Sequence, residues 1–300
     1  MSNSHTVENI AIVGLGLIGG SLARALRKNG FARRFIGYGH RKPSLERGVE
    51  LGVIDCYTLD LDEIIAQADV IVIATPTLVA SEMLKEILPR MIGQSHTPII
   101  TDVASVKGSL LDTAKAVFGS MPPRLVLGHP IAGSERSGVD ASDENLFENH
   151  RVILTPVEGN EPDAVELIRV MWESTGAEVI DMQVAEHDAV LAATSHLPHV
   201  LAYALVDALA QSDASEDIFR FAAGGFRDFT RIASSDPVMW RDISIANKNA
   251  LLQSIDMFSD RLEILRKKVE DDDSDGLLEI FSRAKEARDE FAAILAARSK

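Results

Sequence analysis

The stretch IAIVGLGLIGGSLARALRKNG, residues 10–30, decides how this chain folds. It opens with an apolar run of strand type, and from Leu17 onward it spaces its apolar residues as a helix does, with Gly30 as the stop. Between the two stand Gly14, Gly16 and Gly19, in the spacing G-x-G-x-x-G. Gly14 permits a tight turn, Gly16 lets a pyrophosphate approach the backbone, and Gly19 lets the helix pack close to the strand. The helix start at Leu17 and Ile18 then favours negative charge. A second strand, RRFIGYG at residues 33–39, follows at the right distance, so the segment predicts dinucleotide binding.

Outward from this unit the same alternation continues. Helices are expected at SLERGVELG, LDEIIAQA, TLVASEMLKEILPRM, SVKGSLLDTAKAVFG and PDAVELIRVMWESTG, and strands at DVIVIATP, TPIITDVA, RLVLG, RVILTP and AEVIDM. Fully apolar strands between amphipathic helices predict a mainly parallel sheet covered on both faces, a doubly wound α/β domain of Rossmann type over residues 1–182. After Met182 the strands cease. Residues 184–212 are helical in period, with Pro198 expected to bend or break the run. A helix capped by Asp236, with Pro237 in its first turn, is predicted to run for roughly nine turns, and a last helix begins near Asp275. Long helices with apolar stripes must bury them on one another or on a second subunit. Residues 183–300 are therefore read as an all-α domain that also makes a homodimer.

The 300 residues carry a net charge of −15, unevenly spread. Residues 1–156 hold 15 Lys+Arg against 17 Asp+Glu, and residues 157–300 hold 15 against 28. Within the first 50 the balance reverses, with eight basic residues against three acidic. An acidic chain with one small basic corner suits a phosphorylated small molecule and not a nucleic-acid backbone. No membrane span and no signal peptide are predicted, and the single Cys56 agrees with a reducing compartment, so the cytoplasm is expected.

The acidic residue that commonly ends the second strand and binds the adenosine ribose belongs near residue 39. Gly39, His40, Arg41 and Lys42 stand there instead. A carboxylate would repel a 2′-phosphate, whereas Arg41 can pair with one, so NADP is admitted beside NAD. Thr75 and Pro76, just past the VIVIA strand, fall at the carboxyl end of the sheet where the cofactor belongs. The stretch LVLGHPIAGSERSG, residues 125–138, poses a separate question: a strand is predicted to stop at Gly128, and His129 follows where nothing in folding calls for it.

Five blocks answer it. In IAIVGLGLIGGSLA, TDVASVKG, GHPIAGSERSG, SHLPHVLAYAL and GGFRDFTRIASSDPVMWRDI the chain resembles the prephenate dehydrogenase family, whose relatives also accept arogenate, over nearly its whole length. The resemblance implies oxidative decarboxylation of prephenate with hydride transfer to NAD or NADP, in tyrosine biosynthesis. It implies that His129 takes the proton of the ring hydroxyl, and a neutral imidazole with a pKa near 6.5 suits that task. Ser105 is implied beside the base and the nicotinamide, where its hydroxyl orients the imidazole; it is also read as the cap of the following helix. Arg231 is implied to grip a substrate carboxylate, with Arg227 a candidate one turn away. Ser195, His196 and His199 are implied to line the pocket, and Trp240 is a candidate wall. Glu135 bears on the choice between prephenate and arogenate. His196 and His199 share a helix face, yet without a third ligand block no metal is expected. Lys107 is read as structural or surface.

Two rivals remain at this stage. Another two-domain hydroxyacid-type dehydrogenase should carry a catalytic lysine in a glycine-spaced helix past the domain boundary, where this chain has SHLPH. A cofactor-sensing module without chemistry should lack base and cation, whereas His129 and Arg231 both stand.

Overall fold

The computed structural model describes residues 7–94, 96–133 and 136–298. Six strands, β1 (Val7–Val13), β2 (Ala32–Tyr38), β3 (Cys56–Thr58), β4 (Val70–Ile73), β5 (Ile99–Asp102) and β6 (Leu125–Val126), form one sheet in the order β3-β2-β1-β4-β5-β6, with every pair parallel. Helices α1 (Leu17–Lys28), α2 (Lys42–Glu50), α3 (Leu61–Gln67), α4 (Thr77–Met91) and α5 (Gly108–Phe118) make the connections. Because successive strand side chains point to opposite faces, β1 feeds two cores. Ile10 and Ile12 pack with Leu22 and Leu26 of α1, while Ala11 and Val13 join Leu84 and Ile87 of α4 on the other face. The strand order reverses between β1 and β4, which opens a crevice at the carboxyl ends of the strands.

The later strands depart from the single predicted sheet. β7 (Gly128–Ile131), β8 (Arg151–Leu154) and β9 (Glu178–Asp181) form a separate three-stranded sheet, antiparallel between β7 and β8 and parallel between β8 and β9. The strand predicted to stop at Gly128 is interrupted at Leu127 and resumes, so His129 sits inside a strand opposite Ile153. Pro130 is tolerated because β7 is an edge, where a missing N–H costs the ladder least. Helix α6 (Pro162–Glu173) joins β8 to β9.

From Val184 the chain is helical: α7 (Val184–Leu191), a π-helical turn at Ala192–His196, and α8 (Leu197–Ala210). The π turn is the break expected from Pro198, which has no N–H to give the carbonyl four residues earlier and crowds it with its ring. The whole run 184–210 is long and apolar enough to cross a membrane by length and composition, contrary to the sequence expectation. Here its inner face carries buried His187, Asp188 and His196.

Next come α9 (Ser215–Arg220), α10 (Gly224–Thr230) and a 3-10 turn, Arg231–Ser234. Asp236 caps α11 (Pro237–Ala246) as predicted, accepting from the N–H groups of Val238 (2.8 Å) and Met239 (3.3 Å). The predicted nine-turn helix is interrupted at Asn247, after which α12 (Lys248–Glu270) begins. Asn247 leaves helical geometry with its side chain committed inward, where it donates to the carbonyl of Asp188 (2.8 Å) and meets Nδ1 of His196 (3.1 Å). The chain divides into two compact units, residues 1–251 and 252–300. The second consists of the remainder of α12 and α13 (Ser274–Arg298), joined by a turn in which Asp273 pairs with Lys268 and caps Gly276.

Candidate active site

The turn from β1 to α1 is built as a phosphate cradle. Gly14 has φ +97°, and a Cβ there would lie 2.7 Å from the carbonyl oxygen of Ala74; one on Gly19 would lie 2.5 Å from the carbonyl oxygen of Gly14. A Cβ on Gly16, by contrast, would meet nothing within 4 Å. Only the middle glycine faces open space, where a pyrophosphate needs room. No side chain caps α1 and no acid occupies its first turn, so the N–H groups around Leu17 and Ile18 are left for an anion. Thr75 adds a buried hydroxyl without a partner just past β4, and Pro76 stands at the start of α4, which no side chain caps. Beside the end of β2, a cavity of about 600 Å³ is walled by Tyr38, His40, Asp60, Glu82, Met83 and Glu86 among others. These features fit a nicotinamide dinucleotide lying along the carboxyl ends of β1, β2 and β4.

The crevice beyond contains a chain of three polar side chains. Asp188 accepts from the N–H groups of Lys107 (2.9 Å) and Gly108 (2.8 Å), and from Nδ1 of His187 (2.8 Å). Nδ1 of His129 lies 2.9 Å from Nε2 of His187. A carboxylate only accepts, so it fixes the proton of His187 on Nδ1 and leaves Nε2 to accept. His129 must then donate from Nδ1, and its own Nε2 holds the free lone pair. Burial, then the neighbouring His187, Lys107 and His196, push the pKa of His129 well below the ordinary histidine value. Burial pulls that of Asp188 upward, but the hydrogen bonds from His187 and the two backbone N–H groups hold it below the usual range. The result is a neutral, oriented imidazole.

Gly108 makes the anchor possible: a Cβ there would come within 2.7 Å of Oδ2 of Asp188. The same carboxylate caps α5, which starts at Gly108. Ser105 is therefore not the cap that the sequence suggested. Nδ1 of His129 is taken by His187, and Ser105 is half-buried with no hydrogen bond to a described residue.

Next to this chain stand the turn at 192–196 and its neighbours. His196 is 1% exposed and accepts at Nδ1 from Asn247, so its Nε2 bears hydrogen, and that atom has no partner among the described residues. Burial is the main force that lowers its pKa to about 4. His199 stacks on Trp240 with ring centroids 3.6 Å apart, and Nδ1 of His199 bonds the carbonyl of Ser195 (2.9 Å). Burial, with the positive charge of Arg231, lowers the pKa of His199. His196 meets the same Trp240 ring edge-on at 6.1 Å, and the indole N–H is buried without a partner.

Thus His129, Ser195, His196, His199, Arg231 and Trp240 belong to one neighbourhood. Arg227 does not: its side chain is 81% exposed and pairs with Asp228. Glu135 lies outside the described residues. Arg41 is exposed at the start of α2, and Lys42 beside it pairs with Glu46 at 3.4 Å. Among the described residues no three His, Cys, Asp or Glu side chains are arranged to hold a metal ion. The sequence reading missed His187, Asp188 and Asn247. The signal for the first two was an adjacent His-Asp pair at the head of an uncharged helical run. Lys107, read as structural or surface, is fully buried.

The comparisons with known proteins agree with this geometry. The prephenate dehydrogenase nucleotide-binding domain matches residues 22–181, and the prephenate dehydrogenase dimerization domain matches residues 183–283. Prephenate dehydrogenase of Bacillus subtilis is 41% identical over 94% of this chain and 76% of its own length. Cyclohexadienyl dehydrogenase of Zymomonas mobilis is 36% identical over 94% of this chain and 95% of its own. A structure of prephenate dehydrogenase from A. aeolicus, in complex with hydroxyphenyl propionate and NAD+, superposes with a TM-score of 0.88 at 37% identity, covering 95% of this chain and 99% of the other. Synechocystis arogenate dehydrogenase superposes with a TM-score of 0.78 at 31% identity, covering 94% and 99%.

Proposed function

The chain belongs to the prephenate dehydrogenase family, and from that premise we propose that it catalyses oxidative decarboxylation of prephenate to 4-hydroxyphenylpyruvate, as part of tyrosine biosynthesis. The observation that carries the reading is the neutral imidazole of His129, whose Nε2 lone pair is set by the chain through His187 to Asp188. The cradle around Gly14, Gly16 and Gly19 would hold the pyrophosphate of a nicotinamide dinucleotide, which would supply the hydride acceptor. His129 Nε2 takes the proton of the ring hydroxyl while hydride leaves the same carbon. The ring carboxylate departs as carbon dioxide, its bonding pair completes the aromatic ring, and the carbonyl oxygen regains a proton to become a phenol. A positioned base of this kind typically contributes roughly 100- to 10,000-fold in rate.

Arg231 seats a substrate carboxylate, a contact worth about 1.5–3 kcal/mol when charge-assisted. The hydrogen on Nε2 of His196 needs an acceptor. Prephenate offers a keto oxygen where arogenate carries an ammonium, so this donor favours prephenate, with arogenate the second substrate. NAD is the proposed cofactor. The carboxylates of Asp60, Asp62, Glu82 and Glu86 around the cavity outnumber its cation, Arg90, and so oppose a third phosphate, and Arg41, exposed at the start of α2, is the cation through which NADP would be taken. Labour divides near Met182, with the cofactor held before it and the substrate groups other than His129 after it. Leu252, Met257, Leu262, Leu278 and Phe281, apolar and exposed on α12 and α13, are the surfaces proposed for homodimer formation. The cytoplasm is the compartment expected of such an enzyme.

The test is a four-way assay of purified protein with prephenate or arogenate and NAD or NADP, following the reduced nicotinamide band and released carbon dioxide. Turnover of prephenate with NAD in excess of the other three pairs is expected. Absence of cofactor reduction with either substrate would reject the activity.

A further inference from the structure

Directly beneath β7 lies an ion pair that the reaction just described does not use. Lys107 and Asp102 are both fully buried, and the Lys107 ammonium donates to Oδ2 of Asp102. The pair also holds one particular peptide. Lys107 Nζ donates to the carbonyl of Gly128 (2.6 Å), and Gly128 N–H donates to Oδ1 of Asp102 (3.1 Å). Both polar atoms of the residue before His129 are thus fixed by side chains. Oδ2 of Asp102 accepts in addition from the N–H of Ala104 (2.8 Å), which ties the carboxylate to the end of β5. Lys107 is joined to the other arm of the site as well, because its N–H donates to Asp188.

A buried ion pair is a weak source of stability, since desolvation consumes most of its attraction. A structural explanation alone therefore leaves its placement unexplained. We propose that Lys107 and Asp102 are positioning residues for the reaction: they clamp Gly128 so that β7 presents His129 to the crevice. Among the described residues, the titratable groups around His129 are His187 and Asp188 on α7, His196 on the π turn, and Lys107 and Asp102 behind it. Of these, Lys107 bears a positive charge that opposes protonation of the His129 imidazole; burial lowers the ammonium's own pKa and Asp102 works to sustain it. The proposal rests on His129 being the base.

The experiment compares the parent with Lys107→Met, Lys107→Arg and the double variant Lys107→Met/Asp102→Asn, measuring kcat, KM for prephenate, cofactor affinity by fluorescence and the pH profile of kcat/KM. The double variant leaves no lone buried charge, so it stays testable if Lys107→Met fails to fold. The expected result in each folded variant lacking Lys107's charge is a fall in kcat of roughly tenfold or more, with cofactor affinity retained. In Lys107→Met the acid limb of kcat/KM should also move to higher pH by at least about half a pH unit, because removing a neighbouring positive charge raises the pKa of an imidazole, while the double variant, which removes the charge of Asp102 as well, should move it less. Lys107→Arg, which keeps the charge, should keep the limb near its parental position. A folded double variant with parental kcat, or a folded Lys107→Met protein with an unmoved acid limb, would overturn the proposal. If His129→Asn is inactive in the same assay, that outcome rejects only the role of the pair; an active His129→Asn rejects the base itself.

Discussion

Replacing Asp188 with asparagine removes a charge and half the accepting capacity of a carboxylate that takes three hydrogen bonds, from His187 Nδ1 (2.8 Å), Lys107 N (2.9 Å) and Gly108 N (2.8 Å). An amide has one oxygen. Whichever way its NH2 turns, it confronts the N–H of Lys107 or of Gly108, and one buried donor is left unpaired at a cost of about 1–3 kcal/mol in folding free energy. Turned toward Lys107, the NH2 also donates to His187. That reverses the histidine's tautomer, and the reversal passes along the 2.9 Å contact to His129, whose Nε2 then carries the proton it is meant to accept. The rate loses at least a charge-assisted bond of about 1.5–3 kcal/mol, which is about 10- to 150-fold in kcat. Initial rates from the reduced nicotinamide band, cofactor titration by fluorescence and urea unfolding together make the assay. The expected variant is folded, somewhat less stable, and slow, with KM for prephenate and cofactor affinity within about threefold of the parent. A folded Asp188→Asn protein with kcat also within about threefold would refute the tautomer argument.

Acid should destabilise the protein over a defined window. His196 has a pKa of about 4 when folded against 6.5 for the ordinary group, so the unfolded chain binds the extra proton between these values. Stability is then full above pH 6.5 and falls as pH drops toward 4, by about 3 kcal/mol from this group alone. Urea midpoints at pH 7 and 4.5 check the slope, and His196→Gln should flatten it; equal slopes in both proteins would contradict the assignment. Arg231→Ala should raise KM for prephenate by roughly 10- to 150-fold, the range of one charge-assisted contact, and an unchanged KM would remove Arg231 from the site. Arg41→Asp should penalise NADP more than NAD in kcat/KM, and equal losses would mean the side chain serves neither cofactor selectively.

The parts of the fold that a single local rule governs were legible from the chain itself. The apolar run before Gly14 and the helical spacing after it specify β1 and α1 without reference to distant residues, and Asp236 with Pro237 announces the start of α11 in the same local way. What could not be read depends on partners far along the chain. Gly128 and Pro130 look like a strand end, yet β7 exists because β8, about twenty residues on, pairs with it. The continuous helix predicted across Asn247 breaks because that amide serves Asp188 and His196, respectively 59 and 51 residues away. Ser105 looks like a cap until Asp188, 80 residues past Gly108, supplies the cap from α7. His129 was legible as the candidate base through the motif around it; the groups that set its tautomer were not, because His187 and Asp188 acquire meaning only when α7 is laid against β7 and α5.

The central claim is that His129 Nε2 accepts the hydroxyl proton. The direct measurement is kcat for His129→Asn with prephenate and NAD, alongside the affinity of the same protein for the cofactor. Loss of at least roughly 100-fold in kcat, with cofactor affinity close to the parental value, is the predicted result. A variant that binds cofactor and turns over prephenate at nearly the parental rate would contradict it.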